Sequence, residues 1–169
     1  MIRLSVPAFV ATLCIAATTV RAELVKQMVP VTILSAGGFC DSPPDEIIAA
    51  PDAERGQYEH NFRPFDFVVR GDRFPAQISL GIGISVRIDG YGPGSNIRVR
   101  ISPPSGPIGG WDMTIGQTGV LEFGRVPATG KALETGRYYL SVIDKGRVLF
   151  TYSITLKGEA EDSLCVPVS

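Results

Sequence analysis

The sequence predicts an all-β chain, an antiparallel β-sandwich of about seven or eight strands behind a cleaved signal peptide. Three observations carry that expectation. Over residues 78–88 large apolar and small or polar side chains alternate strictly, the period of a strand with one face in a core. Clusters of Gly and Pro separate shorter runs of the same period at intervals of about 10 to 15 residues. The first 22 residues carry a positive start (Arg3), an apolar stretch from Val6 to Thr19, and Val20-Arg21-Ala22 before a cut. That is the order of an export signal.

Taken in order, residues 1–22 read as a signal peptide and residues 23–169 as one sandwich domain, a size able to bury a core. The apolar stretch is shorter than the roughly 20 residues needed to span a bilayer. Cleavage removes Arg3, Arg21 and Cys14. Sixteen basic residues fall to 14 against 17 acidic, and the net charge moves from −1 to −3. The expected location is periplasmic or secreted, with no membrane contact once the signal is gone.

A β-branched run over residues 28–34 makes the first strand, with Pro30 tolerable on an edge. A loop follows over residues 37–64, rich in Gly, Pro and acid, with room for a helical turn at residues 45–53. Phe65, Phe67 and Val69 alternate with Asp66 and Arg70 in a second strand. Next comes the longest run. Ile78, Leu80, Ile82, Ile84, Val86 and Ile88 share one face, and Gly81 and Gly83 on the other imply close approach by another group. Past the Gly90–Ser95 turn, Ile97, Val99 and Ile101 alternate with Arg98, Arg100 and Ser102. After a Pro/Gly loop at residues 103–110 come a short strand with Trp111, Met113 and Ile115 in phase and another over residues 120–123. Residues 137–143 and 147–156 flank Asp144-Lys145-Gly146, a hairpin turn with glycine available for positive φ.

Glu134-Thr135-Gly136-Arg137-Tyr138-Tyr139-Leu140 has the acid-x-Gly-x-Tyr-x-apolar spacing of an immunoglobulin-like strand opening. It makes Tyr138 the expected structural tyrosine corner. The span from Ser35 to Lys157 also resembles a family of secreted bacterial domains of unknown function. The matching features are Gly37-Gly38 with the acidic loop after it, and Phe74-Pro75-Ala76 ahead of residues 80–84. The Gly90–Gly94 turn, the Pro-rich insert before Trp111 and Gly136-Arg137-Tyr138-Tyr139 match as well. The resemblance implies a sandwich and transfers no active residue.

Cys40 and Cys165 survive signal removal, and an even pair in an oxidising compartment is expected to bond. With no C-x-x-C and a single histidine, neither redox catalysis nor a zinc site is expected. His60, in a polar stretch, is the one available base for nucleophilic catalysis, and no G-x-S-x-G exists. Gly81-Ile82-Gly83 lies inside a strand and opens no helix to hold a phosphate. The basic residues are scattered, which speaks against nucleic acid. Asp41, Asp45, Glu46, Asp52 and Glu54 crowd one loop without calcium-loop spacing. They read as a solvated loop or, alternatively, as the site of a carboxylate-based envelope hydrolase at residues 41–54. Trp111 fits the core and a binding edge equally well. The expectation is therefore a non-catalytic module without cofactor or metal, binding an envelope protein or glycan.

Overall fold

Alternating strands bury their apolar rows by stacking two sheets face to face. A computed structural model describes residues 24–53, 56–60, 63–128, 130–159, 164 and 165. The expected signal peptide lies outside them. In chain order the strands are β1 (Leu24–Gln27), β2 (Val31–Cys40), β3 (Glu46–Ala49), β4 (Gln57–His60), β5 (Phe67–Arg70) and β6 (Arg73–Ala76). They continue as β7 (Leu80–Ile88), β8 (Asn96–Ser102), β9 (Gly109–Thr114), β10 (Leu121–Arg125), β11 (Gly136–Asp144) and β12 (Arg147–Glu159).

The larger sheet runs β1-β12-β11-β8-β9, and the smaller runs β10-β7-β2-β5. All of these ladders are antiparallel. The exception is β6, which adds parallel to the C-terminal part of β12. Ile82, Ile84 and Val86 of β7 meet Val99 and Ile101 of β8, Leu140 and Val142 of β11, and Phe150 and Ile154 of β12 in one continuous core. The alternation over residues 80–88 is thus the heart of the sandwich. Ile78 departs from it, at 46% exposed. Ser79 takes a positive φ of 60°, which breaks the strand and turns Ile78 outward.

The stretch expected as loop from Gly37 differs most. Gly37, Gly38 and Phe39 complete β2 and pair with both β7 and β5. A Cβ on Gly37 would collide with the Val69 carbonyl, so glycine lets β5 approach. In place of a helical turn, residues 46–49 pair with residues 57–60 as the β3–β4 hairpin, Glu46 opposite His60. Between β11 and β12, Lys145 and Gly146 have φ of 46° and 78°. Positive φ at both residues is what a two-residue type I′ turn requires.

Cys40, at the end of β2, is disulfide-bonded to Cys165 across 125 residues, with Cα atoms 5.3 Å apart. Cys165 packs in the core.

The outer face of β7 is closed as well. Cβ positions built on Gly81 and Gly83 lie 2.9–3.1 Å from Phe39, Phe65, Val126 and the Arg125 carbonyl. The Phe39 and Phe65 rings stack at 4.1 Å and 5° above this floor, which Gly124 of β10 extends.

Candidate functional site

Two edge strands define the site. β9 ends the larger sheet and β10 ends the smaller. Because β8 lies against β10, both edges fall on the same side of the sandwich, where the core opens into a cleft of about 930 Å³. Trp111 and Met113 of β9, Leu121 and Phe123 of β10, and Tyr58 of β4 line it.

Trp111 sits opposite Val99, a fully buried residue, so its side chain points to the sandwich interior. Among the described residues no strand lies beyond β9 in the sheet, which leaves the indole half-buried, packed on the core and facing the cleft. Tyr58 stacks on it at 5.5 Å and 19°. The indole Nε1–H is buried and meets no acceptor among the described residues. Buried donors without a partner are rare in native proteins. Burial, with a smaller contribution from Glu46, pushes the Tyr58 phenol above its usual pKa.

The hairpin bearing Tyr58 is held down by polar contacts. Arg98 donates to Asp52 Oδ2 at 2.7 Å and to Asp112 Oδ1 at 3.2 Å, and the Gly110 N–H donates to the Asp52 carbonyl at 3.1 Å. These bonds, that to Asp52 foremost, push the Arg98 pKa up. Both carboxylates are exposed, so each ion pair contributes under about 1 kcal/mol. They align the hairpin more than they stabilise the fold.

Of the acids at residues 41–54, Asp52 and Glu46 meet different partners. Asp52 is turned onto Arg98, and Glu46 lies 3.8 Å from His60 Nδ1 across the hairpin. Glu54 lies outside the described residues, which hold no group of three or more His, Cys, Asp or Glu placed to take a metal. Tyr138, expected at the start of β11, is buried and donates its hydroxyl to the Glu134 carbonyl at 2.9 Å. It also lines the cleft.

Sequence reasoning singled out Trp111 and missed Tyr58, since no local pattern ties residue 58 to residue 111. It also missed the strap over β10, where the Phe65 N–H donates to Glu122 Oε2 at 3.0 Å. The one available signal was glycine inside strands, at 81, 83 and 124. No family model and no curated protein matches this chain. No helix among the described residues is long and apolar enough to cross a membrane.

Proposed function

We propose that the chain is an exported, periplasmic or secreted β-sandwich module that binds a protein or glycan in the β9–β10 cleft without catalysis. One observation carries the reading: a half-buried indole backed by Tyr58, with an unpartnered Nε1–H, in a cleft large enough for a ligand. Aromatic groups of this kind anchor ligands, because they combine large apolar area with a directional donor.

Export is supported by the signal-like residues 1–22 and by the Cys40–Cys165 pair, and it implies Glu23 as the first residue of the mature protein. The immunoglobulin-like variety is supported by the Tyr138 hydroxyl reaching back to Glu134, as a tyrosine corner does. The resemblance to secreted bacterial domains agrees with both.

The test is capture from a native envelope extract with wild-type protein and Tyr58→Ala. The expected result is a protein or glycan retained by wild type and lost by the variant at unchanged melting temperature. Equal retention by both proteins rejects the cleft as the site. Turnover of an envelope substrate, abolished by Asp45→Asn or Glu46→Gln, replaces the binding reading with the hydrolase.

A further inference from the structure

The β3–β4 hairpin joins neither sheet. Its two ends stand on the smaller one. At the first end Cys40 is held by its disulfide, and the Asp41 N–H donates to the Ser79 carbonyl at 3.1 Å, next to β7. At the second the Phe65 ring stacks on Phe39 of β2, and the Phe65 N–H donates to Glu122 Oε2 of β10. The turn between β3 and β4 lies instead on the larger sheet. There Asp52 meets Arg98 of β8 through its carboxylate and Gly110 of β9 through its carbonyl. The hairpin is thus anchored at both ends on one sheet and latched at its tip on the other, across the cleft that Tyr58 and Trp111 share.

The latch can release while the hairpin stays whole. Glu46–Ala49 pair with Gln57–His60, and the turn is closed by bonds of its own. The Ala50 N–H donates to the Gly56 carbonyl at 2.9 Å and the Ala53 N–H to the Ala50 carbonyl at 2.8 Å. Asp52 is exposed, and ion pairs of that kind are weak. Arg98 also holds Asp112 at 3.2 Å, so departure of Asp52 does not leave the guanidinium without a carboxylate. The closed position carries a cost as well. The indole Nε1–H is buried and has no acceptor among the described residues, and an acceptor admitted from outside removes that cost.

We propose that the β3–β4 hairpin is a lid on the cleft, which lifts from Arg98 and Gly110 as one body to uncover Trp111. Tyr58 covers one face of the indole in the closed position. A ligand reaches that face once the hairpin lifts, and Tyr58 settles back on what has entered. This rests on the cleft being a ligand site and adds how that site is entered. Elements that open in this way are drawn from the least stable parts of a fold, and a two-stranded hairpin outside both sheets is such a part.

The test needs no ligand and uses the full disulfide-bonded protein. The Gly110 N–H is released when the latch opens, the Ala50 N–H when the hairpin itself comes apart. Trp111 is the sole tryptophan, so acrylamide quenching of its fluorescence reads its cover. Corrected for intrinsic rates, the Gly110 amide is expected to exchange about tenfold or more faster than that of Ala50. Asp52→Asn, and wild type in about 1 M salt, are expected to speed Gly110 about two- to fivefold with Ala50 unchanged. Quenching of Trp111 rises in both. Asp112→Asn, which leaves the latch intact, speeds neither amide. Gly110 and Ala50 exchanging together overturns the lid, because the hairpin then melts instead of lifting. So does a Gly110 rate indifferent to both Asp52→Asn and salt, or a Trp111 that stays equally shielded while Gly110 speeds up. Each of these leaves the cleft reading standing, since that reading falls on equal capture by wild type and Tyr58→Ala.

Discussion

Ile84 and Gly83 are neighbours on β7 that face opposite layers, and they fail in opposite ways when changed. Ile84 is fully buried between the sheets. Ile84→Ala is expected to cost about 2–5 kcal/mol in chemical denaturation, the range for emptying a core site. Gly83→Ala adds a methyl group 2.9 Å from Phe39 and 3.0 Å from Phe65. Glycine is a poor strand former, yet this substitution is expected to destabilise by about 1–3 kcal/mol through overpacking. Phe65→Leu in the same chain should recover part of the loss, because the methyl group then meets a smaller neighbour. Additive losses in the double-mutant cycle would refute the contact. Tyr152 acts through its proton. Burial, with a smaller push from Asp72, raises its phenol to about 12. An unfolded tyrosine ionises near 10, so the unfolded chain sheds this proton first as pH rises. Stability from this group is complete below about pH 10 and falls by about 2–3 kcal/mol toward pH 12. Denaturation midpoints measured from pH 9 to 12 should show that fall in wild type and a shallower one in Tyr152→Phe.

At the scale of elements, the β11–β12 turn is the place where local chemistry is least settled. Lys145 holds a left-handed conformation that costs an L-residue about 1 kcal/mol and that asparagine tolerates. Lys145→Asn is expected to raise stability by about 0.5–1 kcal/mol, read as a shift in denaturant midpoint at constant slope. This hairpin was legible because two long alternating runs flank a Lys-Gly pair. β7 and β8 were legible for the same reason, since a register slip in either would expose a row of aliphatic side chains. β3 and β4 were not. Four residues each are too few for period 2 to stand out, and prolines at 43, 44 and 51 read as loop. β6 was hidden by Pro75, which a strand tolerates only at an edge. The site shares that weakness. Trp111 was visible as the single indole in a strand-like phase, but its partner arrives through Arg98 and Asp52, a contact between distant segments with no local trace.

For the molecule as a whole, the Cys40–Cys165 bond ties the end of β2 to the C-terminal segment. Thiol titration of the denatured, unreduced protein should find neither sulfur free. Reduction should lower stability by at most about 4–5 kcal/mol, the chain-entropy value for a loop of this length. The glycine floor under Phe39 and Phe65 has a consequence of a different kind. Position 83 has space for a hydrogen only while rings occupy 39 and 65, and the rings have a seat only while that position lacks a side chain. Neither side of the contact can drift alone without a loss of stability. Lineages descended from a common ancestor should therefore exchange the three together, a side chain at 83 for smaller residues at 39 and 65, and the intermediate combinations should be scarce among living sequences.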